Sequence, residues 1–346
     1  MATELTVDAI TDMVVATRDK EDKFVWTDLV HDLQEFHAVP QILKKKKVQF
    51  AGGRGWKTTV MTKHSGAAKN VGLFQENTYD VQDVLTSVRV PMRHVNTNYS
   101  FDLREPDMNQ GDEQIVDIIK VRHADSMASL VERIETDFWS KPENSDDVTT
   151  PWGVYMSLVR NASEGFYGGN PAGFASGYGG LSSVTHPKWR NWTGIYSHVT
   201  KADLLRKMGN AYDHIHFVSP TDMPQNQQGA DDYAIYVNYE TKQALEELGE
   251  ARNENHGSEL QNYAGRMTFR GNPIKWAPFL DADTTNPILF INWAVFFPFF
   301  LRGWFMRLTK PTAGDPRQPN VIRCNVDTSY NFFCKNRRRL AILYKD

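Results

Sequence analysis

The chain has 346 residues, enough for two domains at about 100–200 residues each and for a large core without covalent staples. Apolar residues make up 40%, charged residues 23% and the formal charge is −3, which excludes a disordered chain and a membrane protein by composition and argues against a dedicated nucleic-acid binder. Cys324 and Cys334 are the two cysteines, so a disulfide framework and a cysteine-based zinc site are excluded, and both read as reduced cytosolic thiols.

Residues 4–18 and 26–38 have helical spacing, and acids stand where a secretory signal would carry a basic start and an apolar run. From Val48 to Asn77 two β-like runs with many Gly and Lys predict an exposed β-hairpin arm. Residues 84–103 alternate as one long extended run, with Pro91 marking an edge or bulge. Asp112 to Lys141 is the clearest helix, about 40 Å long, with acids at its start and Pro142 after its end. Its apolar stripe is Val116, Ile119, Met127, Val131, Ile134 and Phe138, and the opposite face (Asp117, Lys120, Asp125, Glu132, Glu135) is expected in solvent or lining an interior.

Residues 142–199 are rich in Gly, Ser, Asn and Pro, and the stretch 165–180 reads as a flexible or tightly turned loop. A second helix runs from Thr200 to Phe217, with Thr200 as N-cap and Asp203 in the capping-box position. Tyr233–Tyr239 is a strand and Glu240–Leu248 a helix ended by Gly249. The fourteen residues Ile288–Leu301 are too few to span a bilayer and read as buried strand bent at Pro298. Residues 267–346 are mostly β.

Catalytic and ligand patterns fall short. Gly52–Thr59 lacks the Gly directly before Lys that a phosphate loop needs. His214 and His216 are two apart at a helix end, where a dipole contact explains them better than a metal. The segment 165–180 is not a dinucleotide fingerprint, no G-x-S-x-G occurs, and the Asn-x-Ser/Thr sites lack a secretory context. No catalytic residue, cofactor or metal site is expected.

Charge comes in blocks. Lys44, Lys45, Lys46, Lys47, Arg54, Lys57, Lys63 and Lys69 precede Gln75 with no acid among them. Residues 102–147 are net −8, 222–259 net −7 and 301–346 net +7. Alternating blocks suit a surface that meets copies of itself.

The order of elements, and the phrases GDEQIVDIIKVRHADSMASLVERIETDFW, WGVYMSLV, HPKWRNWTG, VTKADLLRKMGNAYDHI, YAIYVNYETKQALEEL, MTFRGNPIKWAPFLD, NPILFINW and SYNFFCKNRRRLAIL, resemble the major capsid proteins of tailed bacteriophages, the Hong Kong 97-type fold. The resemblance covers nearly the whole chain. It implies an α+β fold with an N-terminal arm (1–45), an extended loop (46–83), a peripheral domain (84–217) with spine helix 112–141, an axial domain (218–318) and C-terminal strands (319–346). It implies self-assembly through hexamers and pentamers into an icosahedral shell around double-stranded DNA. Arg54, Trp56, Lys57, Lys63 and Lys69 of the extended loop would touch the neighbouring subunit, and the aromatic excess would anchor interfaces. A separate scaffolding protein, a portal at one vertex and weak non-specific contact with packaged DNA are the implied partners, with no membrane. The location is the virion, assembled in the host bacterial cytoplasm. Some relatives cross-link a loop Lys to a neighbour's Asn; Lys57, Lys63 and Lys69 match that by location alone. Other readings are the shell of a cellular nanocompartment with the same fold, an enzyme of another type, or a nucleic-acid-binding module built on Lys44–Lys69 and Arg337–Arg339.

Overall fold

The computed structural model describes residues 36–40, 48–50, 52–53, 55–63, 68–73, 83–105, 112–216, 232–253, 267–313 and 320–346. The expected helix at 4–18, and that at 26–38 up to residue 35, lie outside them, as does Arg54.

In chain order, β1 (Val48–Phe50) and β2 (Gly55–Met61) come first, then β3 (Leu85–Pro91) and β4 (Arg93–Asp102). The long helix α1 (Asp112–Phe138) follows, then the short α2 (Val154–Ser157), β5 (Gly165–Gly168) and β6 (Asn191–Tyr196). A π-type turn, Lys201–Leu205, leads into α3 (Arg206–Ile215). Next come β7 (Tyr233–Val237), α4 (Tyr239–Asn253), β8 (Thr268–Phe269), β9 (Asn272–Trp276) and β10 (Ile288–Asn292). β11 (Phe296–Leu301), β12 (Arg307–Leu308), β13 (Thr312–Ala313), β14 (Val321–Cys334) and β15 (Ala341–Lys345) complete the fold.

Two differences from the sequence reading are physical. The run 84–103 is two strands, because Pro91 has no N–H for a ladder and the chain changes sheets there. Ile288–Leu301 is also two strands, β10 and β11, joined by a turn in which Val295 N–H donates to Asn292 O at 3.1 Å. Pro298 sits inside β11 rather than at the bend. Gly249 does not end α4, which continues to Asn253. Among the described residues no helix is long and apolar enough to cross a membrane.

The chain divides into two compact units. The first takes 1–52, 92–137 and 300–330. Its sheet centres on β14, paired antiparallel with β4 from Val321↔Asp102 to Tyr330↔Arg93, and with β12 and β13. Tyr99, Phe101, Ile322 and Cys324 form a buried cluster there. Helix α1 lies on that side: the Tyr99 and His123 rings are 5.5 Å apart, the Thr97 and Ser126 hydroxyls 3.3 Å, and Arg122 donates to Ser100 O at 3.0 Å.

The second unit takes 53–91, 138–299 and 331–346. Its seven-stranded sheet runs β5-β6-β15-β10-β7-β9-β8. β6 and β15 are parallel, as are β7 and β9, while β10 is antiparallel to both β15 and β7. β7 and β10 are buried at every position, which is why both read as unbroken apolar runs. Leu204, Met208, Ala211 and Ile215 pack onto this sheet's core. The Thr200 hydroxyl accepts from Asp203 N–H at 3.3 Å, while the Asp203 carboxylate accepts from Ser197 and His198 N–H at 2.8 and 2.9 Å. These bonds and Lys207 hold the Asp203 carboxyl down at about 2.

Candidate self-association surface

β2 and β3 form an antiparallel hairpin from Gly55↔Pro91 to Met61↔Leu85. The strand that completes it is 85–91, which the sequence reading placed in the following extended run. Alternation divides the ribbon into two faces. Lys57, Thr59 and Met61, opposite Arg89, Ser87 and Leu85, are all exposed. Trp56 and Thr58, opposite the buried Val90 and Val88, are half-buried.

The root of the hairpin is fixed in its own unit. A Cβ on Gly55 would lie 2.2 Å from Val90 O, so only glycine permits this approach of the two strands. The Trp56 ring packs 5.9 Å from Phe299, 6.2 Å from Phe297 and 6.4 Å from Phe333. Trp56 therefore ties the root of the arm to its own unit. Arg89 N–H donates to Gly179 O at 2.9 Å, and a Cβ on Gly179 (φ +66°) would fall 2.2 Å from Val88 Cγ1. The glycine-rich stretch is thus tightly turned, as one of the two expected forms, and clasps β3.

The distal part of the arm is different. Thr62 N–H donates to Val84 O at 3.1 Å, closing the last rung. Beyond it Val71 and Leu73 are exposed, Leu73 to 92%, in addition to Met61 and Leu85. Lys57, Lys63 and Lys69 are exposed beside them. Charge spacing pointed to the lysines; the four apolar side chains were missed because single exposed hydrophobes carry no sequence signal.

The helix residues distribute as follows. Ile134 and Phe138 are buried, Met127 and Val131 half-buried, and the side chains of Val116 and Ile119 lie outside the described residues. Leu130, absent from the expected stripe, is buried. Glu135, expected in solvent, is also fully buried, which corrects that face. Its carboxylate accepts from the backbone N–H groups of His37, Ala38 and Val39 at 2.9–3.1 Å. An anion there satisfies three amides at the start of a helical turn.

Many of the aromatic residues pack in the core. Phe138 packs on Trp293, Phe296 and Phe332 at 5.3–5.9 Å and on Trp139 at 4.7 Å. The Arg337–Arg339 run is not a surface patch either: Arg337 and Arg339 are buried. The Arg337 guanidinium donates to the carbonyls of Ser157, Trp189 and Gly169 and to Asn191 Oδ1 at 2.9–3.1 Å. Burial lowers its pKa to about 10, and the same burial pushes the Cys334 thiol up to about 12. His214 Nδ1–H donates to Asn210 O at 3.0 Å, and its ring lies 4.5 Å from the Trp192 ring. Among the described residues no group of three or more His, Cys, Asp or Glu side chains is placed to hold a metal ion.

No family model and no curated protein matches the chain. Solved structures do. The capsid asymmetric unit of cyanophage A-1(L) superposes with a TM-score of 0.63 at 12% identity, covering 93% of this chain and 96% of that one. The capsid of the native GTA particle gives 0.52 at 12% identity, with 94% and 97% covered. A Mycobacterium phage Bobi structure gives 0.52 at 8% identity, with 99% of each chain covered. A likeness that runs from end to end at such low identity is one of architecture, and the chain accordingly has the α+β fold of tailed-phage capsid subunits, the Hong Kong 97-type fold.

Proposed function

We propose that this chain is the major capsid subunit of a tailed bacteriophage, assembling through hexamers and pentamers into an icosahedral shell that encloses a double-stranded DNA genome. The observation that carries the reading is the extent of the structural likeness, which takes in more than nine-tenths of both chains. The exposed hairpin supports it. An arm rooted by Trp56 and Gly179 and ending in Met61, Leu85, Val71 and Leu73 with Lys57, Lys63 and Lys69 is built to cover a neighbour. On this reading the chain is a structural protein rather than an enzyme. A separate scaffolding protein and a portal at one vertex complete the particle, which forms in the host cytoplasm.

Negative-stain microscopy of the concentrated, purified chain tests it. Hollow shells or capsomer rings are the expected result. A monodisperse monomer under every assembly condition tried would sink the reading.

A further inference from the structure

The sheet of the first unit has two unlike faces. Residues directly opposite across a ladder share a face. Tyr99, Phe101, Ile322 and Cys324 line the buried one. On the other, His94, Asn96, Asn98 and Ser100 of β4 are exposed and lie opposite Ser329, Asp327, Asn325 and Arg323 of β14. Arg307 of β12 lies opposite Asp327, and Thr312 of β13 opposite Arg323. Four strands thus present a continuous polar surface.

At the rim of this surface the β11–β12 turn is held rigidly. Phe305 packs 4.5 Å from Phe300, Ser329 N–H donates to Trp304 O at 2.8 Å, and Met306 N–H donates to Thr328 Oγ1 at 3.1 Å. Met306 has φ +46°, a left-handed conformation that a side chain of this size rarely adopts. The turn holds that strain while presenting Trp304, with the Arg307 guanidinium 4.7 Å from the indole centroid. The stacked indole fixes the cation in place and lowers the entropy lost when it meets a ligand.

The rim around the β11–β12 turn is basic. Arg302, Arg307 and Lys310 are exposed, and among the described residues no carboxylate pairs with them. Two acids share the face, Asp327, which accepts from Asn96 and stands opposite Arg307, and Asp102, which Arg104 binds at 2.9 Å, so bases outnumber acids there. Arg, Lys, Ser, Thr and Asn side chains are the groups that carry most phosphate contacts in protein–DNA complexes. A protein partner would call for an apolar centre, and this face offers one partly exposed indole.

We propose that this face binds the phosphate backbone of duplex DNA. The proposal deepens the shell reading by assigning the genome a surface, and it rests on that reading for where the DNA comes from. Its chemistry differs from that of the expected Arg337–Arg339 patch, which the fold buries.

Fluorescence anisotropy of the full-length unassembled chain with a labelled short DNA duplex, at several salt concentrations, tests it. Wild type should bind without sequence preference, with a log–log salt slope of about −0.9 per phosphate neutralised. The triple variant R302A/R307A/K310A should bind more weakly at every salt and lose about 3 from that slope. Asn98→Glu, which adds an anion to the face and touches no core residue, should weaken binding as well and guards against misfolding of the triple variant. Failure of wild type to bind, or binding by both variants equal to wild type, overturns the proposal. So does a triple variant that binds DNA normally but no longer forms shells, since the face would then be a contact between copies. Microscopy of wild type is read separately: shells without DNA binding sink this proposal alone, and DNA binding without shells sinks the shell reading alone.

Discussion

Glu135 is held in the core by three consecutive amides, those of His37, Ala38 and Val39, which all donate to its carboxylate. Glu135→Ala removes the acceptor from all three at once, and each buried unsatisfied amide costs about 1–3 kcal/mol. Glu135→Gln keeps one carbonyl and should cost less than the alanine change. Denaturant melts of the two variants check this order; equal stability of wild type and Glu135→Ala would contradict it. Asp137 gives a pH test. Burial raises its carboxyl above 3.8, against the opposing pull of Arg133 at 3.0 Å and the Tyr330 hydroxyl at 3.0 Å. A carboxyl that holds its proton more tightly folded than unfolded favours the fold as pH drops through its folded pKa, and that contribution is absent above it. Asp203, held down at about 2, acts in the opposite sense: its contribution is present above about 4 and is lost as pH falls toward 2. Asp137→Asn should therefore raise the Tm near neutral pH and flatten its change as the pH falls into the acidic range, as thermal melts across pH would report.

At the scale of elements, the hairpin and α1 carry the argument. Residues 63–83 lie beyond the last rung, so replacing them by Asn-Gly should close a two-residue turn on intact strands. The shortened chain is expected to keep wild-type far-UV dichroism and lose assembly. Unfolding would mean that the arm is part of the core. Gly179→Val places two obstacles at one point, a positive φ and a clash with Val88, and should loosen the hairpin root by about 1–3 kcal/mol. On α1, Ile134→Ala should cost about 2–4 kcal/mol, as a fully buried side chain does, and Met127→Ala distinctly less, since Met127 is only half-buried.

For the whole molecule the question is whether charge or apolar area governs association. Exposed ion pairs contribute about 0.2–1 kcal/mol each and are screened as the Debye length falls from about 10 Å at 0.1 M to 3 Å at 1 M. Full burial of one leucine contributes about 1.5–3 kcal/mol and is not screened. Leu73, almost wholly exposed, outweighs a lysine on this comparison. Leu73→Ser should then weaken assembly at every salt concentration, while Lys57→Glu with Lys63→Glu should weaken it chiefly at low salt. Light scattering that shows the reverse pattern would assign register to apolar contacts and strength to charge.

Sequence alone determined the features that local chemistry controls. The extent of α1, the Thr200 cap with Asp203, and the unbroken apolar runs of β7 and β10 follow from signals within a few residues of each other. The order of elements was also enough to reach the fold. Tertiary structure alone decided what depends on distant partners. Pairing of 55–61 with 85–91 needs a closure across residues 62–84 that no local pattern encodes. Burial of Arg337 follows from four acceptors contributed by 157, 169, 189 and 191, and burial of Glu135 from amides nearly a hundred residues away. A charge run or an acidic helix face looks the same in sequence whether water or the backbone solvates it, because only the folded chain brings the competing acceptors and donors within 3 Å.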